Sequence, residues 1–232
     1  MLNTKSRIWQ GLTTGWPICL GYIPIGLAFG ILAQQAGLTP IQIGIMSLVV
    51  FAGSSQFIAI SMLSSGANLP SIVATTFMVN LRHLLMSSAL SIHLRHIKKR
   101  TLSLFAYGVT DESFAINLSK FKYSNWDTMQ ALVVNHIANF TWIISTVIGG
   151  YSGRFIPPNA FGIDFALIAM FIFLLTFQLR GKKYVITAIT AGALAIPLFL
   201  ILPSNLYIIV ASIFAATLGV LFVKKGGARI NV

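Results

Sequence analysis

Acidic residues are scarce in this chain, with only four Asp and Glu among 232 residues. Cysteine occurs once, as Cys19, which excludes an internal disulfide and a thiolate metal cluster. Charged residues of both signs amount to 9% of the chain, whereas an ordinary soluble domain carries roughly a quarter. So little charge cannot cover the surface of a soluble protein of this length. The scarcity indicates a chain that lies in lipid.

Apolar residues, by contrast, make up 56% of the chain. A helix that crosses a bilayer needs about 20 mostly apolar residues. Eight candidate runs occupy residues 16–34, 41–63, 70–92, 101–118, 128–150, 161–179, 184–202 and 206–223. No polar linker divides them, so the sequence predicts an all-α polytopic membrane protein with a single transmembrane domain over residues 16–223. Residues 1–15 are expected to form a cytoplasmic or interfacial arm, and residues 224–232 a basic cytoplasmic tail.

The net charge of +12 reflects sixteen Lys and Arg, most of which flank the apolar runs. They cluster as Lys5 and Arg7, Arg95 to Arg100, Lys120 and Lys122, Arg180 to Lys183, and Lys224 to Arg229. Cytoplasmic loops of membrane proteins are enriched in such residues, which set the orientation of the helices. The charge therefore indicates topology in a lipid bilayer, and not nucleic-acid binding.

Placing every basic cluster in the cytoplasm conflicts with eight full crossings, because three crossings from an inside N-terminus would put residues 95–100 outside. The conflict disappears if runs 41–63 and 101–118 each enter and leave on one side. Both have a polar, helix-breaking centre, FAGSSQF at 51–57 and VTDESF at 109–114. Such backbone is tolerated at membrane depth only beside a cavity or inside protein. We therefore expect about six full transmembrane helices, two re-entrant or broken segments, and both termini in the cytoplasm.

The two broken segments resemble each other weakly. A shift of 57 residues places Ser54 over Asp111 and Phe57 over Phe114. Since the first segment would enter from outside and the second from inside, the chain has a candidate inverted repeat. Many secondary transporters bind their substrate between broken helices related in this way.

Asp111 and Glu112, half of the acidic residues, stand side by side in the second broken segment. Carboxylates at membrane depth are costly unless they face a cavity or a partner, so they indicate a functional site. Asn80 and Arg82 interrupt the run 70–92 and are further candidates for binding or coupling. Arg82 either forms a structural salt bridge with Asp111 or Glu112, or acts as a gate or carboxylate-binding group. His136 is a candidate proton relay, although interhelical hydrogen bonding is the commoner role of such a residue.

Four motifs of the first half carry a family resemblance: GYIPIGLAFGILAQQAGL, FAGSSQFIAI, FMVNLRHLLMSSAL and GVTDESFA. In this order and spacing they resemble the AzlC family of branched-chain amino-acid permeases. The resemblance implies export of valine, leucine, isoleucine or similar amino acids across a bacterial cytoplasmic (inner) membrane. It also implies a partner, because AzlC is the large subunit of a two-component exporter whose small membrane subunit is AzlD. The chain lacks a Gly-x-x-x-x-Gly-Lys-Ser/Thr phosphate loop, so we expect no ATP and no cofactor.

A zwitterionic amino acid needs an acceptor for its ammonium group, donors for its carboxylate and an apolar wall for its side chain. Asp111 or Glu112 is expected to accept the ammonium and to carry a coupling proton or ion. The positive end of a half-helix is expected to bind the carboxylate through backbone amides at the first break. These amides are those of Gly53, Ser54, Ser55 and Gln56, and the expected pocket wall is Phe51, Phe57 and Phe114.

Other functions remain open at this point. Uniport driven by the substrate gradient and a passive amino-acid channel are both compatible with the same residues. A membrane-embedded enzyme would need a nucleophile with its base, or a metal site. The histidines at 83, 93, 96 and 136 lack a spacing such as His-Glu-x-x-His, so no metal is expected and an enzyme is the weakest alternative.

Overall fold

The computed structural model describes residues 3–157, 181–201 and 206–225, together with scattered residues between 162 and 179. Regular secondary structure in these parts is helical, and no strand occurs among them. The helices are α1 (Thr4–Gln35), α2 (Pro40–Val50), α3 (Gly53–Ser64), α4 (Leu69–Ser91), α5 (Lys99–Tyr107), α6 (Asp111–Tyr123), α7 (Thr128–Ser152), α8 (Lys182–Ile201) and α9 (Leu206–Lys225). The predicted run 161–179 and residues 226–232 of the predicted tail lie outside the described residues, apart from those scattered positions.

Helix α1 begins well before the first apolar run. It starts at Thr4, so the arm predicted for residues 1–15 is helical from that residue onward. Pro17 and Pro24 both lie inside the helix. At its N-terminal end Arg7 forms an ion pair with Asp127, the N-cap residue of α7, at 3.0 Å. The arm is thus tied to the start of α7, while its place relative to the membrane surface stays a prediction.

Helices α1 and α7 pack closely and in parallel. Gly11 of α1 lies against Val133, and Gly30 lies against the backbone of Gly149 and Gly150. Contacts therefore advance along both helices in the same direction. Small residues let two backbones approach in this way. Four glycines of α1, at positions 11, 15, 26 and 30, face α7.

Both predicted helix breaks are confirmed. The run 41–63 is interrupted after α2 by Phe51 and Ala52, and Phe51 adopts the left-handed conformation with φ 34° and ψ 53°. The run 101–118 is interrupted between α5 and α6 at residues 108–110. A left-handed phenylalanine is uncommon and costs backbone strain, so the surrounding packing must hold it there.

The chain reverses direction at the first break. Gln56 of α3 donates a hydrogen bond to Ser47 of α2 at 3.1 Å, and Ser47 contacts Thr146 of α7 at 2.9 Å. Pro40, at the start of α2, lies beside Gly150 near the C-terminal end of α7. Residues 40–64 therefore form a helical hairpin, hairpin 1, whose base is at that end.

A second hairpin, hairpin 2, comprises residues 99–123. Asn135 of α7 donates to the Phe105 carbonyl of α5 at 3.0 Å and accepts from Asn117 of α6 at 2.9 Å. The Asn135 side chain thus contacts both helices of hairpin 2 at the same level along α7. The base of hairpin 2 is near the start of α7, where Trp126 donates to Asn117 at 3.0 Å. The two hairpins therefore extend along α7 from opposite ends.

Three helices among the described residues are long and apolar enough to cross a membrane: Thr4–Gln35, Thr128–Phe155 and Tyr184–Ile201. Helix α4 has 23 residues, which is long enough, but it carries Asn80, Arg82 and His83. Helices α8 and α9 pack on each other, with Gly219 against Thr187. The total of six crossings and the inverted repeat stay predictions.

Candidate functional site

The tips of the two hairpins meet across an aromatic pair. Gly53, at the tip of hairpin 1, lies against the Trp142 ring of α7, and Thr110, at the tip of hairpin 2, contacts the Tyr22 hydroxyl of α1 at 2.9 Å. The Tyr22 and Trp142 rings pack edge to face with centroids 5.4 Å apart. A cavity of about 50 Å³ lies between the tips. Its wall consists of Tyr22, Ile25, Phe51, Ala52, Gly53, Ser54, Arg82, His83, Thr110, Asp111, Glu112 and Trp142.

Local sequence explains why the carboxylates lie at this tip. Thr110 caps α6 by accepting from the Ser113 amide at 3.3 Å, and the Ser113 hydroxyl accepts from the Thr110 amide at 2.9 Å. This capping box starts the helix at Asp111 and puts Asp111 and Glu112 in its first turn. Negative charge is favourable there because of the helix dipole.

Asp111 is paired with Arg82 of α4. One guanidinium nitrogen of Arg82 lies 2.9 Å from Asp111 Oδ2, and the other donates to the Ser54 hydroxyl at the tip of hairpin 1. Both charged side chains are 26% exposed, so water screens the pair only in part. Arg82 therefore joins α4 to both hairpin tips, and we call the three residues Arg82, Asp111 and Ser54 the Arg82 clasp.

Glu112 has a different environment. The Tyr22 hydroxyl donates to Glu112 Oε2 at 2.7 Å, within the usual range for a hydroxyl bonded to a carboxylate. Among the described residues Glu112 has no ion-pair partner. Its negative charge is therefore stabilised by a hydrogen bond and not neutralised by a cation.

His83 has a ring nitrogen that can accept a hydrogen bond and has no partner among the described residues. Its Nδ1 lies 2.9 Å from the Val109 carbonyl oxygen. A carbonyl oxygen can only accept, so Nδ1 carries the hydrogen and, in the neutral ring, Nε2 is the acceptor. Nε2 is buried and has no partner in the described part of the chain. Sequence reasoning did not assign a role to His83, although it interrupts the same apolar run as Arg82.

Hairpin 1 presents the unpaired start of α3 to the cavity. The N-cap residue is Ala52, and no side chain caps the helix. The first amides of a helix have no partner within the helix, and they form the positive end of its dipole. Gly53 and Ser54, both in the cavity wall, supply such amides. The cavity wall thus contains two carboxylates, a guanidinium paired with one of them, and backbone donors at the start of α3.

Residues 17–156 match the family model described as AzlC protein. This stretch includes most of α1, both hairpins, α4 and α7, and therefore the whole cavity wall. The chain belongs to the AzlC family.

Several membrane proteins of known sequence are similar over most of their length. The chain is 32% identical to the branched-chain amino acid transport protein AzlC of Bacillus subtilis (strain 168), over 97% of this chain and 89% of the relative. It is 32% identical to inner membrane protein YgaZ of Escherichia coli (strain K12), over 82% and 81% respectively. An uncharacterized membrane protein of Archaeoglobus fulgidus is 28% identical over 91% of this chain and 94% of its own. No solved structure matches.

Several residues predicted for the site lie outside the cavity of this AzlC-family protein. Gln56 is buried between Ser47 and Trp142, accepting from the Trp142 indole at 2.9 Å, and the Ser55 hydroxyl donates to the Ala52 carbonyl at 2.9 Å. Asn80 and His136 are likewise absent from the wall. The Asn80 side-chain oxygen is buried without a partner among the described residues.

Of the three residues predicted to wall the pocket, Phe51 lines this cavity, whereas Phe57 and Phe114 do not. Phe57 packs on Phe29 of α1, with ring centroids 5.2 Å apart. Phe114 packs beside the buried cluster that contains Leu90 and Phe105. Both rings point away from the cavity, because successive residues of a helix face different directions. Tyr22, Ile25 and Trp142 supply the apolar surface instead. No group of three metal-ligating side chains occurs in the described ranges.

Proposed function

We propose that this AzlC-family protein is a membrane permease that exports branched-chain or similar apolar amino acids from the cytoplasm. The observation that carries the proposal is the cavity between the hairpin tips, whose wall combines carboxylates, the uncapped start of a helix and aromatic side chains. The name of the Bacillus subtilis relative supports the substrate class. Coupling to protons or another ion supplies the energy, since the sequence has no phosphate loop for ATP.

The wall is complementary to a zwitterionic amino acid. Glu112 or Asp111 binds the ammonium group. The amides at the start of α3 bind the carboxylate, because that helix end is positive and has no side-chain cap. Phe51 and Trp142 contact the apolar side chain. This division follows the needs of the ligand and the positions of the groups in the wall.

The cavity is too small to hold an amino acid in this conformation. Its volume of about 50 Å³ suits a few water molecules, at ~10–15 Å³ for each. Pockets that enclose small ligands occupy at least about 300 Å³. An amino acid therefore enters only when one hairpin tip moves away. Two hairpins that open in turn toward opposite sides give alternating access, which favours a carrier over a passive channel.

Three basic clusters support the proposed orientation. Arg7 pairs with Asp127, which brings the first cluster to the start of α7. His93 stacks on Phe121 at 5.1 Å, which brings the loop around residues 95–100 to the end of α6, beside Lys120 and Lys122. These clusters therefore gather at the base of hairpin 2, and Arg154 lies beyond the other end of α7. We place the base of hairpin 2 and both termini in the cytoplasm.

A small AzlD-like membrane subunit is the proposed partner, on the basis of the family resemblance. Large apolar side chains of α2, such as Ile41 and Val49, are each 70% exposed. Lipid or a partner helix must cover them in the membrane. In the two-component arrangement the second subunit covers part of the surface beside hairpin 1.

Counterflow in proteoliposomes tests the proposed function. Vesicles that contain the protein with its small subunit and are loaded with unlabelled leucine should accumulate radiolabelled valine and leucine with saturating kinetics, and lysine should not compete. Vesicles without protein are the control. Absence of counterflow with every apolar amino acid would contradict the proposal, and flux that rises linearly with concentration would support a passive channel. Full activity without the small subunit would remove the partner from the account.

A further inference from the structure

The two adjacent carboxylates of the cavity have unequal partners. Asp111 is already neutralised by Arg82 at 2.9 Å. Glu112 receives one hydrogen bond at Oε2 from Tyr22, and its Oε1 has no partner among the described residues. From the sequence alone, either residue is a candidate to bind the ammonium group and the coupling proton. The structure gives the two residues different partners.

The charges around Glu112 can be counted from each element that forms the wall. Helix α1 contributes Tyr22, α4 contributes Arg82 and His83, and α6 contributes Asp111, while hairpin 1 and α7 contribute only uncharged groups. Arg82 and Asp111 cancel, so the cavity has one uncompensated negative charge when His83 is neutral. An uncompensated negative charge at membrane depth is costly unless a cation joins it.

We propose that Glu112 is a single exchange site that holds either a proton or the ammonium group of the substrate, and that Tyr22 positions it. The inference rests on the proposed function and adds which carboxylate exchanges and how coupling arises. A proton on Oε1 removes the charge that attracts an ammonium group, and a bound ammonium group occupies the same lone pairs. The two ligands are therefore mutually exclusive.

Exclusive binding converts a proton gradient into export. On the outside, water delivers a proton, an O–H bond forms at Glu112, and the amino acid leaves. On the inside, that O–H bond breaks, the proton passes to cytoplasmic water, and the next ammonium group binds the carboxylate. One proton enters for each amino acid exported. The Arg82 clasp keeps its own charges paired and takes no part in this exchange.

Tyr22 is well placed as the positioning residue. It is 8% exposed, and its ring packs on Trp142 while its hydroxyl reaches both Glu112 and Thr110. Fixing Oε2 leaves Oε1 in one orientation for the exchanged cation. The unpartnered Nε2 of His83 is the other vacant acceptor of the wall, which is consistent with a ligand that carries several hydrogen-bond donors.

The test is leucine counterflow by the protein with its small subunit, at equal pH inside and outside. Competition predicts that the KM for leucine rises up to about tenfold for each unit of falling pH, with an unchanged maximal rate. Glu112→Gln should have a raised KM that no longer depends on pH, and Glu112→Asp should recover the dependence. Asp111→Asn should keep the pH-dependent KM, whatever its maximal rate.

Tyr22→Phe keeps the ring and removes the donor. It should move the pH range in which KM changes to higher pH, because the carboxylate loses a hydrogen bond that favours its charged form. Tyr151→Phe, at the exposed end of α7, is the matched control and should cause no shift. Only variants that still elute as a monodisperse peak in detergent are compared.

The outcomes separate the two proposals. Absence of wild-type counterflow contradicts the proposed function. Counterflow with a pH-independent KM, or pH dependence lost in Asp111→Asn and retained in Glu112→Gln, overturns the exchange site and leaves the function standing.

Discussion

At the scale of single residues, substitution of Arg82 should disturb more of the structure than other substitutions in the cavity wall, because its side chain contacts both hairpin tips. Removing one partner of a poorly solvated ion pair leaves the other charge uncompensated. The 26% exposure of both side chains reduces that cost below the value for a fully buried pair. The clasp is therefore expected to contribute measurably to stability and to show coupling between its members.

Single and double substitutions test the clasp. Arg82→Gln and Asp111→Asn should each lower the Tm in detergent, and the double variant should recover part of the loss, because neither charge is left alone. We expect a coupling free energy of about 1–3 kcal/mol. Thermal unfolding of the four proteins measures it. If the two losses simply add, the ion pair does not connect α4 to hairpin 2 in the way described.

Asp111 and Glu112 could be identified from the sequence as candidate site residues, but their different partners could not be predicted. Four carboxylates in 232 residues make any that lies in an apolar run conspicuous, and Arg82 was the obvious counter-ion. Which of the two carboxylates pairs with Arg82 depends on the orientation of the first turn of α6. Tyr22 was missed for a related reason, since it comes from a distant helix and is an ordinary residue of an apolar run.

At the scale of elements, the hairpins follow from polar centres that interrupt apolar runs. FAGSSQF and VTDESF both contain residues that end or begin helices, and the breaks occur within or beside them. The directions of Phe57 and Phe114 were not predictable, because each depends on how its half-helix is rotated against its neighbours. The parallel pairing of α1 and α7 was also not predicted, since glycine spacing indicates close approach without naming the partner helix.

Two glycines of α1 provide a matched test of this pairing. A Cβ on Gly30 would lie 2.6 Å from the Gly150 amide nitrogen, whereas no described atom lies within 4 Å of a Cβ on Gly21. Gly30→Ala should therefore force α1 and α7 apart and cost about 1–3 kcal/mol. Gly21→Ala should be neutral or slightly stabilising, because alanine favours the helix.

Thermal unfolding in detergent, with leucine counterflow as a second readout, compares the two alanine variants. Gly30→Ala is expected to lower both the Tm and the transport rate, because the wall of the cavity includes residues of both helices. Equal behaviour of the two variants would contradict the close packing of α1 against α7.

At the scale of the whole molecule, three basic clusters lie at one end of α7, as they should if that end is cytoplasmic. The sequence alone predicts that every basic cluster is cytoplasmic. The ion pair of Arg7 with Asp127 and the stacking of His93 on Phe121 bring three of those clusters to one end. The sequence could not supply this convergence, because it depends on contacts between distant segments.

The central claim is that a cavity between two oppositely directed hairpins binds the transported amino acid. Its most direct test is labelling of single cysteines from outside intact cells with an impermeant thiol reagent, in a Cys19→Ala background. Ser65→Cys reports on the loop after hairpin 1, Lys98→Cys on the exposed loop before hairpin 2, and Ala52→Cys on the cavity wall. Lys98 is suitable because it is exposed, whereas the neighbouring Ile97 packs against a buried cluster.

We predict that Ser65→Cys reacts rapidly, that Lys98→Cys reacts only after the cells are permeabilised, and that Ala52→Cys reacts slowly and is protected by leucine but not by lysine. Ser65→Cys, exposed and outside the cavity wall, is also the control and should show no protection. Labelling of Lys98→Cys in intact cells, or leucine protection that is absent at position 52 or equal at position 65, would contradict the account.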